Sequence, residues 1–508
     1  MPCFWYVHCP IMNSTITPTL NLKAQHAERR VVVTGASGYV GARLVVELLS
    51  TGFNVRATSR SLSSLKRFPW YDQVEAVEAD LSISEDVNRL FEDVDTVFYL
   101  VHSMSGTQNF EELESKIASK VAQAAHSNGV RQIIYLSGLH PRTELDKLSP
   151  HMRSRENVAR ILGSTAVPAI TFRAATLIGS GSASFEMIRH LTERLPIMVA
   201  PQWINNKIEP ISIRDTLYYL VKAADLPEPI NEEFDIGSGH IYTFADLLRI
   251  YGKIRGLRRT IVSLPIPLPF DTLSGLWIAA ITPAPLSLAQ PLAQSMQEDA
   301  ICNNRSIRDY IPDPPSGLAD YPTSVRRALQ QESMGVLSSW DSSWKNLSST
   351  DHLPSDPEWT GRTVYSDVQE QSFRSEPAKV WRVIEGIGGH HGWYSTPLLW
   401  FVRGVIDKAI GGPGLGGRRD PNRLRVGDRV DFWRVEEVIP EKQLTLRAEM
   451  RASGQAWLQF TINGNKLRQR AVYFPKGLLG RVYWLALIPF HAVIFPTMLR
   501  NIIQAGDN

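Results

Sequence analysis

From Arg30 onward, short apolar runs rich in β-branched residues alternate with stretches of helical period, the pattern of repeated βαβ units around a parallel sheet. The spacing predicts strands over 31–33, 55–59, 74–79, 96–101, 132–137 and 169–173, enough for a doubly wound sheet. Between the fourth and fifth, Phe110, Leu113, Ile117, Val121 and Ala125 recur every three or four residues and predict a helix with one apolar stripe against that sheet. Past residue 174 the rhythm loosens into loops and shorter elements, as where the carboxyl-end loops of a sheet grow into a substrate-binding region. Residues 333–358 are rich in Ser, Asp and Pro without period and read as a linker. The tail opens on a strand-like run over 363–373 and a helical stretch over 377–387. It continues through alternating runs over 444–450, 456–462 and 467–474 and ends on a long apolar helix. Four segments result: a loose arm over 1–28, an α/β doubly wound parallel-sheet domain with a substrate-region extension over 29–332, the linker over 333–358, and a smaller α+β domain over 359–508.

Length agrees, since 508 residues exceed what one core supports. A composition of 43% hydrophobic and 21% charged residues excludes wholesale disorder and a polytopic membrane protein. The net charge of +3 conceals an asymmetry: residues 361–508 hold 21 Lys and Arg against 13 Asp and Glu, leaving 33 against 38 before them. A basic tail on a mildly acidic body favours an anionic neighbour such as a membrane surface, although a solvated basic face is the commoner cause. Cys3, Cys9 and Cys302 form no CxxC pair and no cysteine–histidine cluster, so neither structural zinc nor any other metal is expected. The first residues lack the pattern of a secretory signal, and a cytoplasmic location is the expectation.

The segment Thr34-Gly35-Ala36-Ser37-Gly38-Tyr39-Val40-Gly41 follows the first predicted strand and opens a helix. Glycines at this spacing permit a tight turn, let backbone amides approach a pyrophosphate, and pack helix against strand. The helix N-terminus then favours the anion. The expected cofactor is therefore a nicotinamide dinucleotide. Where an NAD-specific site offers a carboxylate to the ribose, the second strand ends in Thr58-Ser59-Arg60, and a guanidinium suits a 2′-phosphate instead, so NADP(H) is preferred over NAD(H). Asp80 and Leu81 end the third strand, with Asp80 placed either at the adenine edge or as a cap on the next helix. A second GxGxxG, at Gly412, Gly414 and Gly417, lacks a preceding strand and reads as a loop.

The glycine segment, Leu100-Val101-His102-Ser103 ending the fourth strand, Ser137 ending the fifth, and Ile208-Glu209-Pro210-Ile211-Ser212-Ile213-Arg214-Asp215 together resemble the short-chain dehydrogenase/reductase superfamily. More narrowly, residues 29–505 resemble its atypical, NmrA-like branch, in which such a domain precedes a START-like (SRPBCC, helix-grip) domain of uncharacterised role. The resemblance implies a cofactor site that includes Leu100, Val101 and His102, and a catalytic serine at Ser137. Active members also carry a Tyr-x-x-x-Lys pair on the following helix. This chain has His151 at the tyrosine's place and Arg155 at the lysine's, and the i, i+4 spacing keeps them on one face. Arg155 is expected to reach the nicotinamide ribose and to bias His151 toward neutrality, which weakens it as an acid. The Tyr218/Lys222 pair falls in a later helix and reads as an amphipathic face.

Three functions fit these residues: reduction of an enone or similar small apolar substrate with Ser137 and His151, dinucleotide binding without turnover as a redox sensor or assembly factor, and carriage of a hydrophobic ligand by the tail. No nucleic-acid partner is expected, and oligomeric state is left open. Residues 482–499 are uncharged and just long enough to span a bilayer, but Pro489, His491 and Pro496 interrupt them, which favours a buried terminal helix. The run 272–297 is broken by Pro283, Pro285 and Pro291. With Arg418, Arg419, Arg423 and Arg425, the two runs make peripheral contact with an anionic inner leaflet a further expectation.

Overall fold

A computed structural model of the chain describes residues 19–101, 110–141, 148–264, 275–338 except 277, 279 and 280, 355–356, 363–409, 411–450 and 453–508. They fall into two compact units, the first drawing on residues before 343 together with 355–356, the second on 363–508.

The first unit is built on β1 (Arg30–Val33), α1 (Tyr39–Thr51), β2 (Asn54–Ser59), β3 (Glu75–Glu78), α2 (Ser84–Phe91), β4 (Thr96–Tyr99), α3 (Phe110–Ser127), β5 (Gln132–Gly138), α4 (Pro150–Gly163), β6 (Ala169–Ala174), α5 (Ile213–Ala224) and β7 (Glu232–Ile236). Seven strands, one more than the sequence pattern predicts, form a wholly parallel sheet in the order β3-β2-β1-β4-β5-β6-β7. The seventh, Glu-Glu-Phe-Asp-Ile, has too little apolar content to announce itself. It holds its edge because Phe234, Asp235 and Ile236 are buried, Asp235 against Arg173 at 2.8 Å. Strand β1 shows why both faces are covered: Val31 and Val33 enter one core, while Val32 enters the core opposite.

Helix α3 forms as predicted, but its buried line runs through Glu114, Ala118, Val121, Ala122 and Ala125, and Leu113 is 43% exposed. The cause is its packing on α4: Ser154 there donates to the Glu114 carboxylate, turning a polar side chain inward with a partner. The segment 208–215 is a structural tie. Glu209, fully buried, accepts from Arg305 at 2.6 Å and from the Gly239 amide at 2.8 Å, and Ser212 caps α5 by accepting from Asp215 N at 3.0 Å. On α5, Tyr218 donates to the carbonyl of Pro312 at 2.9 Å. Two further helices, α6 (Phe244–Ile254) and α7 (Leu286–Ser295, with Pro291 inside), belong to a separate core beyond the sheet's carboxyl edge.

The segment read as a linker is shorter and less independent than its composition implies. A helix over Tyr321–Ser338 runs into it, and Ser355 and Asp356 dock on the first unit, where Asp356 accepts two bonds from Arg43 at 2.9 and 3.1 Å. Both side chains of this pair are buried, 7% and 3% exposed.

In the second unit, β8 (Tyr365–Ser372), α8 (Pro377–Glu385), α9 (Pro397–Ala409), β9 (Arg429–Val430), β10 (Trp433–Ile439), β11 (Gln443–Ala448), β12 (Gly454–Asn463), β13 (Lys466–Pro475) and α10 (Gly477–Asp507) give an antiparallel sheet ordered β8-β13-β12-β11-β10-β9. Helix α10 divides in two. Its second half buries Phe495, Met498, Leu499, Ile502 and Ile503 with Val380 and Ile384 of α8. Its first half exposes Leu479 (75%), Val482, Leu485, Ile488 and Val493. The expectation of a buried terminal helix therefore holds for one half only. The whole helix is long and apolar enough to cross a membrane by length and composition.

The glycine loop after α9 is not a dinucleotide turn. The amides of Gly414 and Gly417 are taken by the carboxylates of Asp407 (2.9 Å) and Asp431 (3.0 Å), which leaves them nothing to offer a phosphate. The basic loop beside it is also partly spent: Arg418 donates to the carbonyls of Ile387 and Glu385, and Arg419 pairs with Asp428 at 3.0 Å.

Candidate functional site

Strand order reverses between β1 and β4, and the β1–α1 turn lies there. Gly35 has φ +67°, a conformation costly for other residues, and a Cβ on it would stand 3.3 Å from the Leu100 carbonyl and the Val101 side chain. A Cβ on Gly41 would stand 2.3 Å from the Gly35 carbonyl, so only glycine lets the helix approach the turn this closely. Gly38 caps α1 without a side-chain bond, and the first turn holds no acidic residue. The leading amides are thus left for an anion, and the turn fits a diphosphate. Thr34 pins the turn, donating to the Phe98 carbonyl (2.9 Å) and accepting from Leu100 N (3.1 Å).

One cavity of about 470 Å³ runs from this turn toward α7. It brings together Gly35, Gly38, Tyr39, Val40, Gly41 and Leu100 with Ser137, His151 and Arg155. Helix α4 starts where it does because Ser149 caps it and Pro150 occupies its first turn. That start sets His151 and Arg155 on the face toward Ser137. Arg155 Nε donates to His151 Nε2 at 3.1 Å. Burial first, and the Arg155 charge second, hold the His151 pKa down to about 3. The ring is neutral at physiological pH and, with Nε2 accepting, carries its proton on Nδ1. Tyr135, two residues before Ser137 on β5, is held protonated chiefly by burial, while the Arg155 charge and a hydrogen bond with Ser137 act the other way. In the adjoining pair His140–Glu156 (3.1 Å), burial lowers the His140 pKa, but the hydrogen bond the ring donates to the Glu156 carboxylate prevails and raises it, and that same bond does most to hold Glu156 at about 2.

Other sequence-predicted residues lie apart from the cavity lining. Ser37 shares the turn, and Val101 packs on Gly35. Ser59 bonds Ser64 at 2.8 Å and Arg60 is exposed at the end of β2. Leu81 is core. The Asp80 carboxylate accepts from Ser82 N at 2.8 Å, the main cause of its lowered pKa, and so organises the turn leading into α2. His102 falls outside the described residues.

The far wall of the cavity was not assigned residue by residue from sequence. Ile208, Phe244, Leu288, Pro291, Leu292 and Met296 make it apolar. Four of these come from the proline-broken run 272–297, and the prolines were the legible signal of a loop-like lining segment. Gly138 also matters, because a Cβ there would meet Met152 Sδ at 3.1 Å.

A family model described as NAD(P)H-binding matches residues 35–167. On this parallel sheet, residues 35–167 of the first unit are thus similar to NAD(P)H-binding domains. The chain is 33% identical over 116 residues to a 3-beta-hydroxysteroid dehydrogenase of Mycolicibacterium neoaurum, a match covering 21% of this chain and 31% of that protein's own length. It is 24% identical over 248 residues to a ceramide reductase of Caulobacter vibrioides, covering 48% of this chain and 76% of that one. The solved structure of Citrobacter sp. triphenylmethane reductase complexed with NADP(H) is similar at 17% identity and a TM-score of 0.46, over 59% of this chain and 99% of that one. Residues 359–498 match a second model, described as a protein of unknown function, DUF2867.

Proposed function

We propose that the NAD(P)-binding domain is an NADP(H)-dependent reductase of a small apolar molecule whose reacting group needs little acid assistance, such as a conjugated enone. The observation that supports this most is the single cavity shared by the glycine turn, Ser137, His151, Arg155 and an apolar far wall. The turn's amides and the α1 N-terminus hold the diphosphate, and Arg60, exposed where an NAD site presents a carboxylate, takes the 2′-phosphate. When bound, the dinucleotide supplies a hydride. Ser137 and Nδ1–H of neutral His151 hydrogen-bond the substrate oxygen on which negative charge gathers, and Arg155 stabilises that charge. No side chain here is a strong acid at neutral pH, so water delivers the completing proton. The two relatives named for a hydroxysteroid and a ceramide agree with an apolar substrate.

A second reading rests on the same depressed His151: dinucleotide binding without turnover, as in a redox sensor. Loss of NADPH absorbance with a panel of hydrophobic enones separates the two. Oxidation that depends on Ser137 supports the reductase; tight NADPH binding with no oxidation across the panel supports the sensor. Absence of calorimetric binding for either reduced dinucleotide removes both.

A further inference from the structure

Helix α9 carries its polarity inside out. The side chains it turns to solvent are apolar, Leu398 at 71% and Phe401 at 60% exposed among them, while its acid, Asp407, is only 2% exposed and accepts from the Gly414 amide. The first half of α10 is likewise apolar toward solvent, through residues such as Leu479, Val482 and Leu485. The two faces adjoin: Val402 and Ile406 of α9 and Phe490 of α10 border one cavity, and the Arg403 guanidinium lies 5.2 Å from the centre of the Tyr483 ring. Five exposed large apolar side chains on α9 and seven on α10 thus form one surface, nearly half of all such side chains among the described residues. Scattered exposed apolar residues are ordinary, but a cluster of this size marks a surface that something apolar covers.

Charge points to what covers it. Within 397–409 and 476–494 no Asp or Glu reaches solvent, whereas Arg403, Lys408, Lys476 and Arg481 do. Lys408 follows Val405 by one turn on the same exposed stripe, and Lys476 immediately precedes α10. Two copies packed face to face would enclose these cations in one interface with no carboxylate to answer them, whereas an anionic lipid surface answers all of them. Depth follows from α10. Beyond Ile494 the helix is held in the unit's core by Phe495, Met498 and Leu499, so residues 478–493 are what it can offer, about 24 Å of helix at 1.5 Å per residue against a hydrocarbon core of about 30 Å. We infer that α9 and the first half of α10 form an interfacial surface that lies in the headgroup layer of an anionic membrane without crossing it. The arginine loop singled out from sequence contributes less than expected, because Arg418 and Arg419 are bonded within the unit. This surface is independent of the dinucleotide reading.

The test is cosedimentation of the full-length protein, at low salt, with vesicles of phosphatidylglycerol and phosphatidylcholine in equal parts, against vesicles of phosphatidylcholine alone. Binding to the anionic vesicles is expected, with the neutral ones weaker by about tenfold or more. F401E and L479E, both at exposed positions, each lower binding by about tenfold or more, whereas I197E, at an exposed position of the first unit, leaves it unchanged. K408Q combined with K476Q removes most of the preference for anionic vesicles, about fivefold per lysine. Bound wild-type protein comes off in alkaline carbonate, as a peripheral protein does. Absence of wild-type binding to the anionic vesicles overturns the proposal, and a dimer that L479E dissociates then gives the face to a second copy. Equal binding of the wild type to both kinds of vesicle overturns the role of charge, equal losses in I197E and L479E overturn the location, and retention in carbonate overturns the interfacial depth.

Discussion

Replacing His151 by Gln removes a titrating ring from the centre of the candidate site while leaving Arg155 a hydrogen-bond acceptor. In the folded chain burial, then Arg155, hold the imidazole at about 3, against about 6.5 in an unfolded chain. The unfolded ring therefore binds a proton that the folded ring refuses. Stability falls as pH drops through 6.5 and goes on falling toward 3. At about 1.36 kcal/mol per pKa unit, the wild type loses roughly 2 kcal/mol from this group between pH 7 and pH 5. His140 titrates in the opposite sense but is present in both proteins and cancels in the comparison. The assay is thermal unfolding of wild type and H151Q at several pH values from 5 to 8, joined to hydrogen exchange of the α4 segment so that the first unit is read separately. The stability difference between the proteins shifts by about 2 kcal/mol in favour of H151Q on acidification. Parallel curves refute a buried, neutral His151 and with it the argument that the site lacks a strong acid.

Other consequences are equally open to measurement. Asp356→Ala strands the Arg43 guanidinium in a buried setting, at an expected cost of about 3–5 kcal/mol, seen as faster hydrogen exchange across α1; R43M combined with D356L recovers most of it, and unchanged exchange in D356A contradicts the ion pair's role. Gly41→Ala drives a Cβ onto the Gly35 carbonyl and lowers NADPH affinity more than tenfold by calorimetry while circular dichroism stays native; retained affinity counts against diphosphate binding at this turn. Arg60→Ala weakens NADPH about tenfold and leaves NADH unchanged, whereas equal effects on the two remove the 2′-phosphate contact. Ser137→Ala lowers enone-dependent NADPH oxidation about 100-fold with the Kd for NADPH little altered.

The parallel sheet was legible because buried strands such as Val31–Val33 are apolar on both faces and glycines at positions 35, 38 and 41 punctuate them at a fixed interval. Strand β7 was not, since its burial depends on a salt bridge to Arg173 that no local pattern reveals. The pair His151 and Arg155 could be placed on one helix face by spacing alone. That burial outweighs the neighbouring charge in neutralising His151 is a property of packing, invisible until α4 meets the cavity. The apolar wall from Phe244 and α7 escaped a residue-level assignment for the same reason: its members are distant in sequence and converge only in the fold. In the second unit, the helical stretch before the Gly412 loop could be read but α9 could not be bounded, because its exposed apolar side and buried Asp407 invert the usual helix pattern.

The partnership of Arg43 with Asp356 spans 313 positions and has a practical bearing on dissecting the protein. A fragment cut at 332, where composition invites the scissors, severs the dinucleotide-binding half from its own counter-ion and is expected to come out unstable or aggregated. Carried on to 361, the same fragment keeps the carboxylate that neutralises its first helix.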